Sequence, residues 1–317
     1  MFLLIGDPHF KTTNAYECDQ FINEVYKLVE KENYQKIIIL GDILDTHERI
    51  NLTILCKATD FIVKLSQKTN VYVLIGNHDR INNSIFLTEE HAFAGLKNKK
   101  NIKIIDKVLY EEDILYVPYV PTGRFEEAIK TVDIDINKCK IIFAHQEFKN
   151  SIMKDQGDEI PEKIPIYSGH IHNYRKLKNV TYIGTPFQHS YYDDPNKFIM
   201  EIELKDKKIK ENKIYLDIIK KRIQELTISE LQDYKIDEKY MTKINIKGEY
   251  KLLKNKKIQE ILNHSQINYK ILPRVNDKEY IEENNKDFKF FLEKKLESEK
   301  KEIKNLYEKI IKKINDT

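Results

Sequence analysis

Short, mostly apolar runs that stop at a glycine or a potential metal ligand recur through the first 172 residues of this chain. Residues 2–5 run into Gly6-Asp7-Pro8-His9, residues 36–40 into Gly41-Asp42, and residues 71–75 into Gly76-Asn77-His78-Asp79. Residues 141–144 end at His145, and 166–168 end at Gly169-His170-Ile171-His172. Continuous runs of β-branched and aliphatic residues read as strands covered on both faces. Between them lie stretches with helical spacing, through Phe21, Val25, Leu28 and Val29 within 15–32, and through Leu55, Ala58, Ile62 and Leu65. Alternating strands and helices call for a layered core. Further strands are expected at 102–105 and 114–117, then an antiparallel series at 174–177, 181–183, 198–204 and 208–216. The expected fold is α/β (α+β-like), a sandwich of two mixed sheets with helices outside.

The residues at the run ends fit one chemistry. In open α/β sheets, ligands bind beyond the carboxyl ends of the strands. Asp7, Asp42, Asn77, His145 and His170 all stand there, so their side chains can converge. Carboxylate and imidazole together suit Mn²⁺, Fe²⁺ or Zn²⁺. A carboxylate can bridge two ions, and Asp42 is central in the order. Two ions about 3.5–4 Å apart can clamp a phosphate and activate a water. The adjacent glycines let the backbone come close. Each run alone is weak, because a Gly-Asp is often only a turn and a lone His is usually a core residue. Their joint order is what carries the reading.

The remaining sequence sets bounds. Cys18, Cys56 and Cys139 are scattered without CxxC spacing, which fits buried thiols in a reducing, cytoplasmic setting. No stretch approaches the roughly 20 apolar residues that cross a bilayer, so no membrane association is expected. The start of the chain reads as a first strand and not as a signal peptide. Charge is uneven. Residues 205–275 hold 18 Lys/Arg against 10 Asp/Glu, whereas 1–204 hold 25 against 30. A basic segment beside a metal centre suits a polyanion, although a solvated Lys-rich face explains the charge equally well. The pattern changes near residue 218. A helix at about 227–234, a strand at 243–246, a helix at 255–262 and a strand at 267–272 describe a small βαβ-like unit. Three segments are expected: 1–217, 218–275 and 276–317. In the last, Phe288, Leu292, Leu296, Ile303, Leu306, Ile310 and Ile314 form a helical apolar stripe.

Gly6-Asp7-x-His9, Gly41-Asp42, Gly76-Asn77-His78-Asp79, His145 and Gly169-His170-x-His172 resemble the five motifs of the calcineurin-like metallophosphoesterase superfamily, over roughly residues 1–205. The resemblance implies that Asp7, His9 and His172 bind a first metal, Asn77, His145 and His170 a second, and that Asp42 bridges. It makes His78 the residue that contacts the phosphate and assists the leaving group, with Asp79 orienting it. The two divalent ions are expected to be Mn²⁺, with Mg²⁺, Fe²⁺ or Zn²⁺ as alternatives. Asp7 near the start, Ile43-Leu44-Asp45 after Gly41-Asp42, and Gly184-Thr185-Pro186-Phe187-Gln188 resemble the SbcD-type DNA double-strand-break repair nucleases and the small subunit of phage recombination endonucleases. That narrower resemblance implies a DNA nuclease, 3′-to-5′ exonuclease on duplex ends and endonuclease on single strands. It makes 218–275 a DNA-capping domain and the last segment the docking helix for an SbcC-type, SMC-like ATPase. It also implies a cytoplasmic, nucleoid-associated place in a bacterial or phage-infected cell. A homodimer through apolar helices near 50–66 and 84–95 is a further expectation. The rivals are a stand-alone phosphoesterase acting on nucleotides or phosphoproteins, and a non-catalytic DNA-binding scaffold.

Overall fold

The structure, a computed structural model, describes residues 1–45, 49–161, 163–205, 208–248 and 255–272. The expected docking helix in 276–317 lies outside them. Two compact units emerge, one of 1–222 with 237–241, the other of 223–236 with the described residues from 242 on.

In the first unit the strands are β1 (Phe2–Ile5), β2 (Lys36–Ile39), β3 (Asn70–Leu74), β4 (Ile102–Ile105), β5 (Leu109–Glu111), β6 (Ile114–Val117), β7 (Ile141–Ala144), β8 (Ile166–Ser168), β9 (Arg175–Leu177), β10 (Val180–Tyr182), β11 (Ile199–Lys205) and β12 (Lys208–Ile214). They make two sheets, in the orders β12-β11-β1-β2-β3-β4 and β5-β6-β7-β8-β10-β9. β1 to β4 are parallel neighbours, and β11 runs antiparallel to β1. In the other sheet β6, β7, β8 and β10 are parallel, with β5 and β9 antiparallel at the edges.

The side-chain period of two explains why the strands look apolar throughout. Leu3 and Ile5 face α1 (Ala15–Lys31) and α2 (Leu52–Ser66) in one core. Phe2 and Leu4 face the second sheet, meeting Tyr116, Phe143 and Tyr167. A third core lies on the far side of the second sheet, under α3 (Phe125–Ile129). The expected sandwich with outer helices is therefore the observed one.

Three details depart from the sequence reading. The expected antiparallel series is split: β9 and β10 form a hairpin on one sheet, while β11 and β12 form a hairpin on the other. β10 also runs parallel to β8. Sheet membership is a long-range choice that local alternation does not encode. Residues 84–95 form turns and bends and then a short 3-10 turn at Ala94–Leu96, not a helix. Finally, β13 (Lys220–Thr227) is a strand that the basic run Lys220-Lys221-Arg222 conceals. It joins β14 (Tyr240–Lys247) and β15 (Ile267–Leu272) in a third sheet. A capping box at Thr227 and Glu230 starts α4 (Ile228–Gln232). β14 and β15 are parallel, joined through α5 (Lys256–Leu262). Ile228, Leu231, Ile244, Ile246 and Ile258 are the centre of this small core.

Candidate metal centre

The loops leaving β1, β2, β3, β7 and β8 meet in one place because backbone hydrogen bonds stitch them. His9 N–H donates to the Asp42 carbonyl at 3.0 Å, and Phe10 N–H donates to Ile43 O at 2.7 Å. Gly169 N–H donates to Ala144 O at 3.0 Å. Asp7, His9, Asp42, Asn77 and His145 are all buried there. His170 is half-buried and His172 is exposed at the rim.

Asp42 stands in the middle. Its Oδ2 lies 3.6 Å from His9 Nε2 and 3.3 Å from His145 Nε2. Its Oδ1 accepts the His78 backbone N–H at 2.8 Å. Two ligand groups result, His9–Asp42–His78 and Asp42–His145–His170, each with ligand atoms within 4.8 Å of one another. They share Asp42. Asn77 Oδ1 completes the second group, 3.0 Å from His145 Nε2 and 2.9 Å from His170 Nδ1. The His172 ring stands edge-on to His9, centroids 4.7 Å apart.

A cation fits this set on physical grounds. Both Asp7 oxygens are buried and make no hydrogen bond, and the same holds for both ring nitrogens of His9. Orphaned buried polar atoms of this kind are costly and rare unless something binds them. The site also lacks room for side chains. A Cβ on Gly76 would stand 2.2 Å from Asp42 Oδ1, and one on Gly41 would stand 2.4 Å from His145 Nδ1. Gly41 has φ +106°, and three residues with ligand side chains, His9, Asp42 and His170, share positive φ values of 44°, 47° and 77°. Asp and His tolerate this region better than most residues, and such strain gathers at functional sites.

Titration in the metal-free protein reflects the same crowding. Burial pushes the Asp7 carboxyl up to about 6, against the pull of His145. Burial would also raise Asp42, but His145, His9 and His78 hold it well below the usual carboxylate range. Burial would lower His145, yet the carboxylates of Asp42 and Asp7 raise it to about 9. His9 is raised likewise, burial being outweighed by Asp45, Asp42 and Asp7. Loss of water around the ring nitrogens and neighbouring imidazoles lower half-buried His170 and rim His172 to about 4. Without metal, the His145 imidazolium supplies positive charge to the carboxylates.

Two supporting contacts set tautomers. His145 Nδ1 meets the Leu40 carbonyl at 2.7 Å, which points Nε2 at Asn77 and Asp42. His78 Nδ1 meets the Asp45 carbonyl at 2.9 Å. Asp79, expected to orient His78, accepts the backbone N–H groups of Leu44 at 3.0 Å and Gly76 at 3.1 Å. It braces the loop that carries His78. Burial and the Asp42 charge push it up to about 7 despite those donors.

The sequence reading missed His189. Its ring lies edge-on to His9 at 5.3 Å and 5.9 Å from His172, with Nε2 3.3 Å from the Asp7 carbonyl. Burial lowers its pKa strongly, so it is a neutral ring. The available signal was its place directly after Gly184–Gln188. Behind it, Gln188 pairs both backbone groups of Lys221, at 2.7 and 3.1 Å. Lys221 Nζ reaches Glu17 at 2.8 Å and the His189 carbonyl at 3.2 Å.

Comparison with known proteins places the chain in a family. The sequence profile of the family described as Calcineurin-like phosphoesterase (Metallophos) matches residues 1–294. The protein 078R of Invertebrate iridescent virus 3 is 35% identical over 240 residues, 72% of this chain and 69% of that protein. The protein 244L of Invertebrate iridescent virus 6 is 36% identical over 259 residues, 77% of this chain and 92% of that protein. Both bear phosphoesterase names. Among solved structures, a Pseudomonas putida nuclease aligns over 63% of this chain and 83% of its own at 16% identity, with a TM-score of 0.34.

Proposed function

The chain belongs to the calcineurin-like phosphoesterase family, and from that premise we propose that it is a two-metal nuclease that cuts DNA phosphodiesters. The observation that carries the two-metal part is the pair of ligand groups sharing Asp42. Asp7 and His172 would join His9 and Asp42 at one ion, and Asn77 would join His145, His170 and Asp42 at the other; His78, which also stands in the first group, is assigned to the substrate and not to the ion. Mixed carboxylate, imidazole and carbonyl donors suit Mn²⁺. When bound, divalent ions neutralise phosphate oxygens and lower the pKa of a water. His78 supplies the proton to the departing oxygen. Its Nδ1–H is held by the Asp45 carbonyl, which leaves Nε2 as the working nitrogen. Asp79 keeps that ring in place through the backbone.

The Lys/Arg surplus of 205–275 supports DNA as the substrate. The spacing of the apolar residues from Phe288 to Ile314 in the sequence supports docking on an SbcC-type, SMC-like ATPase, with the pair processing DNA ends in the cytoplasm. With Mn²⁺, the protein should degrade end-labelled duplex 3′ to 5′ and nick circular single strands. Asp42→Asn and His78→Ala should each abolish both activities. Retention of cutting by either variant would refute the assignment of the centre. One observation favours a second reading, a phosphoesterase acting on nucleotides or phosphoproteins: residues 1–204, which hold the centre, are net acidic, 25 Lys/Arg against 30 Asp/Glu. Turnover of mononucleotides with no cleavage of polynucleotides would establish it.

A further inference from the structure

Three aromatic rings of the first unit form a row that begins close in the chain to the metal centre. Tyr174 stands two residues beyond His172, and its ring meets Phe198 edge-on with centroids 5.2 Å apart. Phe198 meets Tyr215 at 5.8 Å. Phe198 is buried, whereas Tyr174 is 38% and Tyr215 63% exposed. Two ammonium groups accompany the rings. Lys213 Nζ lies 3.6 Å from the Tyr174 centroid and 4.5 Å from that of Phe198. Lys197 Nζ donates to the His172 carbonyl at 2.7 Å and to Asn173 Oδ1 at 3.0 Å. The row of rings runs from Tyr174, two residues beyond the rim histidine His172, to Tyr215.

Covering Phe198 does not by itself require this arrangement. An apolar side chain would cover it better than Tyr215, which leaves most of its ring in water. Among the described residues neither Lys197 nor Lys213 forms an ion pair. Asp193, Asp194 and Asp7 are near enough to Lys197 to act on its charge, but Asp193 Oδ2 accepts the N–H groups of His189 and Ser190, and its Oδ1 accepts the Ser190 hydroxyl. Exposed ring faces interleaved with ammonium groups match a ligand that alternates flat bases with phosphates. Only unstacked bases offer those faces, and stacking on an aromatic ring tolerates any base.

We propose that Tyr174 and Tyr215, with Lys197 and Lys213, form a track for single-stranded polynucleotide whose reacting phosphate lies at the metal centre. This rests on the nuclease reading above. The full chain in EDTA should bind an oligothymidylate of about twelve residues roughly tenfold more tightly than an abasic strand of equal length and charge, by fluorescence anisotropy. Tyr215→Ala should remove most of that preference and Tyr215→Phe should keep it, since stacking needs the ring and not the hydroxyl. Equal binding of the two strands by the unmodified protein overturns the proposal. So does a preference that survives in Tyr174→Ala and Tyr215→Ala alike. The nuclease reading is judged separately, by Mn²⁺-dependent cleavage of the same oligonucleotide. Cleavage without base preference removes only the track, while base preference without cleavage upholds the track as a binding surface and removes the nuclease.

Discussion

Replacing Asp7 by Asn should invert the stability order of the protein with and without metal. In the metal-free protein the Asp7 carboxyl is fully buried, makes no hydrogen bond, and is raised from 3.8 to about 6. Because the folded pKa lies above the unfolded one, the folded state holds the proton more tightly. Stability then falls as pH rises from about 4 to about 6, and the full penalty persists at neutral pH. A rise of this size corresponds to about 3 kcal/mol. Asn removes the charge but leaves a buried amide whose own unmet hydrogen bonds cost about 1–3 kcal/mol. The net gain in EDTA at pH 7.5 should therefore lie between zero and about 2 kcal/mol. At about 2–4 °C per kcal/mol for a unit of this size, the Tm should rise by several degrees. The gain should vanish below about pH 4, where wild-type Asp7 is protonated in both states. Metal reverses the order. An ion at a hundred times its Kd stabilises the wild type by about 2.7 kcal/mol, and the variant, deprived of an anionic ligand, should gain much less. Backbone circular dichroism suits the measurement, since the chain has no Trp. Equal stabilisation of both proteins by Mn²⁺, or an Asn variant that melts well below the wild type in EDTA, would refute the reasoning.

Other substitutions test separate parts of the structure. Gly76→Ala should lower metal-dependent turnover by about a hundredfold, because its Cβ would stand 2.2 Å from Asp42 Oδ1 and 2.3 Å from the Asp42 backbone nitrogen, so that the carboxylate and its loop must shift by about 1 Å; unchanged steady-state rates would count against Asp42 as the shared ligand. Lys221→Met should destabilise by about 3–5 kcal/mol in urea melts, since it strands the buried Glu17 carboxylate, and a loss below 1 kcal/mol would show that water reaches Glu17. Cys56 is exposed while Cys18 is buried, with its thiol pushed up to about 12 by burial. Iodoacetamide on the native protein should therefore label Cys56 first, read by peptide mass, and rapid labelling of Cys18 would contradict its packing beside Asn14.

Much of this protein is legible without coordinates because its site is assembled from local signals. An apolar run identifies a strand, the residue after it stands at a strand end, and its type states the chemistry. Asp7, His9, Asp42, Asn77, His145 and His170 could each be found that way, and the structure brings them together. Long-range geometry is another matter. No local pattern says that β9 and β10 join one sheet while β11 and β12 join the other. Nor does one say that Asp79 braces a loop through backbone donors, or that His189 returns to stand against His9. The basic run 220–222 hides a strand, because a Lys-rich edge and a Lys-rich helix share a composition. The sequence alone determined which atoms are available to hold metal, since donor type is a property of the residue. Only the tertiary structure decided that Asp42 stands between two ligand groups and that Tyr174, Phe198 and Tyr215 form a row. Those arrangements depend on distances between segments far apart in the chain, which are set by how the sheets pack.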